Sequence, residues 1–195
     1  LYLRCLERLR EEGRKVVSST DLSCHLQTTD AQVRKDLAYF GGFGKRGLGY
    51  EVEPLISELK SILGLDRTRK IALVGAGKLG LALVAYPGFK RRNFRISRVF
   101  DNAARKIGRL WEGVEIQDVE LTDRVMKKEH IEIGIIATPG EDAQGVAERL
   151  AKAGVKAILN FAPTRISVSE PVIVKNVDLT LELENVSYHL NRADV

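Results

Sequence analysis

Long uncharged apolar stretches are missing from this 195-residue chain. No run of the 18 or more residues that a membrane-spanning helix needs can be found. The N-terminus also carries no signal-like apolar block. A membrane or secreted location is therefore unsupported, and a cytoplasmic one is expected. The first residue is Leu1, so trimming of the natural N-terminus is expected as well. Cysteine is nearly absent: Cys5 and Cys24 are the only two, without a CxxC or nearby histidine pattern, which favours reduced structural thiols over a disulfide or metal pair. With three histidines, and no metal cluster or nucleophile pattern, the means for proton transfer are scarce. The net charge of +5 permits nucleic-acid binding without demanding it. Residues 1–69 hold 12 Lys and Arg against 10 Asp and Glu, so any basic surface must be assembled by folding.

What is present falls into two parts. Residues 1–64 read as short helices separated by polar turns. Leu3, Leu6 and Leu9 repeat at helical spacing up to Gly13, and Ser18 to Asp21 supply caps for a second helix ending near Leu26. Gln27-Thr28-Thr29 is a tight polar turn, after which Thr29 or Asp30 caps a third helix through Phe40. Two short helices across such a turn form a helix-turn-helix. On the third helix Val33, Leu37 and Phe40 share the stripe expected to pack inward. Gln32, Arg34, Lys35 and Tyr39 lie on the remaining face, where amide and cationic side chains could read base edges and phosphates. The glycine-rich segment from Gly41 to Val52 suits a tight β-hairpin whose tip carries Lys45 and Arg46, a basic wing. Pro54 is expected to open a fourth helix that Gly64 stops.

Residues 65–69 form the expected linker. Beyond it, short apolar strands at Ile71–Val74, Ile96–Phe100, Ile131–Ala137 and Val155–Asn160 alternate with helical stretches such as Gly140–Ala153. That alternation predicts an α/β, Rossmann-like parallel sheet over residues 70–178. The first strand runs into Gly75-Ala76-Gly77-Lys78-Leu79-Gly80, a dinucleotide fingerprint at the start of a helix. Asp101 ends the next strand, 21 residues past Gly80, where an acid hydrogen-bonds the ribose hydroxyls and repels a 2′-phosphate. NAD(H) is thus favoured over NADP(H). Asn102 follows, and two more strand ends, Thr138-Pro139 and Asn160-Phe161-Ala162, face the same crevice. Residues 179–195 are apolar at helical spacing and are expected to pack away from the sheet.

Several of these segments are long and specific. Ala31-Gln-Val-Arg-Lys-Asp-Leu37, Tyr39-Phe-Gly-x-Phe-Gly-x-Arg-Gly-x-Gly-Tyr50, Gly75-x-Gly-x-Leu-Gly80, Tyr86-Pro-Gly-Phe89, Asn160-Phe-Ala-Pro163 and Asn176-Val-Asp178 occur in this order. In them the chain resembles the bacterial redox-sensing repressors called Rex, over nearly its whole length. The resemblance implies a winged helix-turn-helix domain and a homodimer whose C-terminal helices exchange. It implies binding to palindromic double-stranded operator DNA and release by NADH, with NAD+ competing. It also implies that Tyr86 and Asp178 lie near the nicotinamide, with Arg4 a candidate charged partner. The chain departs from the family at Ala103, where a second acid often follows the first, leaving Asp101 alone. The competing expectation is an NAD-dependent oxidoreductase with an atypical helical N-terminal domain; a CoA- or nucleotide-binding module is a weaker third.

Overall fold

The computed structural model describes residues 1–45, 47–169 and 171–193, with Lys45 and Ala193 described by backbone alone. The chain divides into two compact units, Leu1–Arg67 and Thr68–Val195.

In the first unit the elements are α1 (Tyr2–Glu11), β1 (Val16–Val17), α2 (Ser19–Leu26), α3 (Asp30–Phe40), β2 (Gly44–Lys45), β3 (Gly49–Glu51) and α4 (Val52–Ile62). Local chemistry sets the helix starts. The Ser18 hydroxyl accepts the Asp21 amide at 3.0 Å while the Asp21 carboxylate accepts the Ser18 amide at 2.8 Å, a reciprocal capping box. Hydrogen bonds from Ser18 hold the Asp21 carboxyl below its ordinary range. Thr29 caps α3 by accepting the Gln32 amide at 3.1 Å. Leu3, Leu6 and Leu9 from α1 meet Leu22, Val33, Leu37, Leu55 and Ile56 in one core. The wing is a three-stranded antiparallel sheet in the order β1-β3-β2.

Three expectations for this unit need correction. Phe40 shares its stripe with Val33 and Leu37 but is 50% exposed, because it is the last helical residue and stacks edge-on against Tyr39 instead of entering the core. The fourth helix opens at Val52, not Pro54; proline is tolerated there because amides in the first turn have no intrahelical acceptor. Finally, Cys24 is exposed and free, so only the buried Cys5 is a structural thiol.

The second unit contains β4 (Arg69–Val74), α5 (Lys78–Ala85), α6 (Pro87–Arg91), β5 (Phe94–Asp101), β6 (Leu110–Trp111), β7 (Val114–Asp118), α7 (Thr122–Glu129), β8 (Ile133–Ile136), α8 (Gly140–Lys152), β9 (Ala157–Asn160), β10 (Ile173–Asn176) and α9 (Leu179–Ala193). Its sheet order is β10-β9-β8-β4-β5-β7-β6, parallel throughout except for β6. Without that edge strand this is the doubly wound order in which β4 comes first and the chain reverses direction between β4 and β8. Strand side chains alternate between two cores. Ala72 and Val74 pack with Met126, Ala143, Ala147 and Leu150 on the α7–α8 side, and Ile71 and Leu73 with Val84, Ile96 and Val99 on the α5 side. Burial on both faces explains why β4 is continuously apolar.

Candidate functional sites

The carboxyl ends of β4, β5 and β8 enclose a crevice of about 460 Å³ at the reversal point, a volume within the range of small-molecule sites. Gly75, Gly77, Asp101, Asn102, Thr138 and Pro139 all line it. The glycines are sterically required. Gly75 has φ +104, and a Cβ there would fall 2.5 Å from the Ala137 carbonyl oxygen. A Cβ on Gly80 would fall 1.9 Å from the Gly75 oxygen, so a side chain there would hold α5 away from the strand. At Gly77 nothing among the described residues lies within 4 Å of a Cβ position, which leaves the backbone open towards the crevice.

Asp101 is 5% exposed and is held by three donors. Its Oδ2 accepts the Ala76 amide and the Lys106 ammonium, each at 2.8 Å, and its Oδ1 accepts the Ala103 amide at 2.9 Å. Burial alone would raise this carboxyl, but hydrogen bonds from Lys106, Ala103 and Ala76 outweigh it and hold the group below its ordinary value. The hydroxyl of Thr138 is buried with no hydrogen-bond partner among the described residues. An orphaned hydroxyl lining a polar crevice is a group to which a ligand can bond. Glycine cradle, strand-end acid and orphaned hydroxyl together fit a dinucleotide.

The other candidates lie elsewhere. Lys78, Leu79 and Gly80 form the first turn of α5. Asn160 is fully buried and structural: its amide donates to the Thr164 carbonyl and the Asn176 side chain, and its oxygen accepts the Ala162 amide. Phe161 packs on the α5-side core. Ala162 and Asp178 line a separate groove beside the start of α9, where Asp178 caps that helix by accepting the Thr180 and Leu181 amides. Tyr86 is 53% exposed and stacks on Phe89 by a third, smaller hollow. Lys106, Asp142 and Arg149 also line the crevice, and the motifs gave no hint of them. Each reaches it from a turn or helix whose position depends on tertiary packing. Among the described residues no cluster of His, Cys, Asp and Glu could hold a metal, and no helix is long and apolar enough to cross a membrane.

In the first unit, α3 presents Gln32, Arg34, Lys35 and Tyr39 on its exposed side, with Tyr39 84% exposed. Two of these side chains are pre-positioned. Gln32 donates to Asp36 at 2.6 Å, and one Arg34 nitrogen donates to Asp30 at 2.6 Å and to Ser19 at 3.1 Å. Tyr2 supports the same helix from behind by donating its hydroxyl to Asp36 at 2.8 Å. Lys45 lies in β2 opposite Gly49; Arg46 lies outside the described residues.

Fold and crevice define a winged helix-turn-helix unit joined to a Rossmann-type nucleotide-binding unit. Comparison with known proteins agrees. Residues 66–164 match a family described as "CoA binding domain", and residues 1–38 one described as "Putative DNA-binding protein N-terminus". The redox-sensing transcriptional repressor Rex of Carboxydothermus hydrogenoformans is 50% identical over 98% of this chain and 92% of its own length. Rex 1 of Thermotoga maritima is 46% identical over 98% and 91%. Among solved structures, RSP in complex with β-NAD+ and operator DNA superposes with a TM-score of 0.95 at 42% identity, over 99% of this chain and 89% of that one. RSP in complex with β-NADH gives 0.88 at 40% identity, over 99% and 90%. The chain belongs to the Rex family of redox-sensing transcriptional repressors. Its relatives are named as repressors, not as oxidoreductases.

Proposed function

We propose that the chain binds double-stranded operator DNA as a cytoplasmic homodimer and is released when NADH enters the crevice, NAD+ competing for the same site. Residues 1–64 are the DNA-binding domain, 65–69 the linker, 70–178 the NAD(H)-binding domain and 179–195 the dimerisation helix. The observation that carries the reading is Asp101, fixed at the end of the second strand of a doubly wound sheet beside Gly75 and Gly77. Gly75 to Gly80 and the start of α5 would hold the pyrophosphate, Asp101 and Asn102 the adenosine ribose, and Thr138 and Pro139 the far wall. NADH supplies no chemistry in such a role; its oxidation state is the signal. CoA fits less well, because the 3′-phosphate on its ribose would meet the Asp101 carboxylate, whose charge Lys106 offsets only in part. Tyr86, Asp178, Asn160, Phe161 and Ala162 are proposed to serve the nicotinamide half. Two features support dimerisation: operator-binding helices read half-sites in pairs, and α9 leaves Leu179, Leu183, Val186 and Leu190 exposed on one stripe. Gln32, Arg34, Lys35 and Tyr39, with Lys45 and Arg46 of the wing, are proposed to contact DNA.

The test is to select binding sequences from a random duplex pool and measure the mobility of a selected duplex with and without NADH. NADH should release the DNA, and the duplex should weaken NADH binding by the same factor, because coupling of two equilibria is reciprocal. Selection that recovers no preferred sequence, or a complex indifferent to NADH, overturns the reading.

A further inference from the structure

Among the described residues, Lys106 is the one crevice cation tied directly to the ribose acid. Its ammonium is 2.8 Å from Asp101 Oδ2, and its side chain is 28% exposed. A carboxylate has about four lone-pair positions. Two amides and this ammonium already take three of them on Asp101, so the acid presents a largely committed acceptor to a ribose. A lone acid at this position refuses a 2′-phosphate by charge. Here the acid is paired with a cation that itself lines the crevice and, having three N–H donors, keeps two beyond the one given to Asp101. The remaining charged groups of the lining are Asp142 and Arg149. Arg149 is engaged, donating to the Val119 carbonyl and to Glu120.

We propose that Lys106 is a specificity-determining residue of the nucleotide site: paired with Asp101, it sets how strongly a phosphate on the ribose 2′ position is refused. This rests on the reading that the crevice holds NADH. With Lys106 present, a 2′-phosphate meets a compensated ion pair. Without it, the phosphate meets a bare carboxylate. Asp101 keeps its two amide donors in either case, so its position for the ribose survives.

The experiment titrates the full chain with NADH, and with NADPH in competition against NADH, for the parent, Lys106→Met and Lys106→Arg. The expected result is a rise of about tenfold or more in the NADPH-to-NADH ratio of dissociation constants in Lys106→Met, since a removed unit charge at contact distance acts at about this scale in a partly solvated site. Most of that rise should come from NADPH, and Lys106→Arg should return the ratio to within about threefold of the parent. Raising salt should improve NADPH binding relative to NADH binding in Lys106→Met, where the phosphate faces a bare carboxylate, and do so less in the parent. A ratio unmoved in Lys106→Met makes Lys106 a structural tie only and overturns the proposal, as does a parent on which NADPH does not compete at all. A parent that binds no NADH overturns the reading of the crevice itself, so the two failures are distinct. If Lys106→Met does not fold, Lys106→Gln carries the same comparison, and a ratio unmoved there refutes the proposal.

Discussion

Two neighbouring glycines should respond in opposite ways to the same substitution. At Gly77 the backbone has φ −83 and ψ −174, which alanine adopts freely, and nothing among the described residues lies within 4 Å of the new Cβ. Gly77→Ala should therefore leave the fold intact or stabilise it by about 0.4–1 kcal/mol through the unfolded chain. The methyl group would nevertheless stand where the fingerprint brings its amides to a pyrophosphate. NADH affinity should fall at least tenfold, ~1.4 kcal/mol. At Gly80 the Cβ would lie 1.9 Å from the Gly75 oxygen and 3.1 Å from the Leu73 side chain. Contact below 3.0 Å is essentially never seen, so α5 must retreat by about 1 Å against backbone that cannot yield. That places Gly80→Ala at the upper end of overpacking costs, about 3 kcal/mol, or on the order of 10 °C in Tm for a unit of this size. Trp111 is the only tryptophan and lies in the second unit, so its emission during urea unfolding reports the right part of the molecule. Nucleotide titration of the same samples gives the affinities. A Gly77→Ala variant that binds NADH like the parent, or that loses more than about 1 kcal/mol of stability, would refute the crevice geometry.

Lys35→Ala should relax sequence preference on selected duplexes by about 1–3 kcal/mol if it reaches a base edge; equal losses on selected and random duplexes would reassign it to phosphate. Burial, followed by the Asp36 hydrogen bond, pushes Tyr2 up to about 12. The protonated form is favoured by folding, so its contribution is complete below pH 10 and is lost as pH rises through about 12. An alkaline ultraviolet titration should show one late tyrosine that Tyr2→Phe removes, and an unchanged titration would contradict the contact. Asp101 has the opposite sign. Its carboxyl is depressed, so its contribution is present above about pH 4 and is lost as pH falls through the lower folded-state value. Acid unfolding followed at Trp111 should shift to lower pH dependence in Asp101→Asn, and an identical acid limb would remove Asp101 from the balance.

What could be read from the chain was whatever is decided locally. The caps at Ser18 and Thr29 satisfy amides within three residues, so the helix-turn-helix boundaries are written in short range. The strand-to-helix fingerprint is equally compact. The two-residue strand β1 was not legible, because its identity as a strand lies in pairing Val16 with Glu51 and Val17 with Tyr50 of β3, far along the chain. The β6–β7 hairpin, α7 and the edge strand β10 escaped notice for a related reason: β10 is mostly exposed and carries little apolar signal of its own. In the crevice, the backbone turn and the strand-end acid were legible, but Lys106 and Arg149 were not. Nothing in the spacing of a lysine five residues after an acid says that the chain will fold back to join them. Tyr86 and Asp178 came only from resemblance, and neither lines the crevice with Asp101.

The state of Asp101 bears on why such a crevice would serve sensing. A general base works when its pKa lies near the operating pH and its lone pair is available to a proton. Asp101 is depressed, ionised at neutral pH and mostly committed to three donors. Hydrogen bonding to Glu120 drives Arg149 further from titration. His130 caps the C-terminus of α7 in a left-handed conformation before β8, at the opposite end of that strand from the crevice, and His25 is hydrogen-bonded within α2. A site of this kind can hold a nucleotide firmly and do little to it. Its binding energy is then available in one form, as a difference between the two states of the protein. Micromolar binding amounts to about 8 kcal/mol, and a coupling of 1–3 kcal/mol is enough for a switch. Only a minor share of the nucleotide's contacts has to differ between states. The fixed ribose end can therefore stay the same in both, leaving discrimination to the nicotinamide end, where oxidised and reduced cofactors differ.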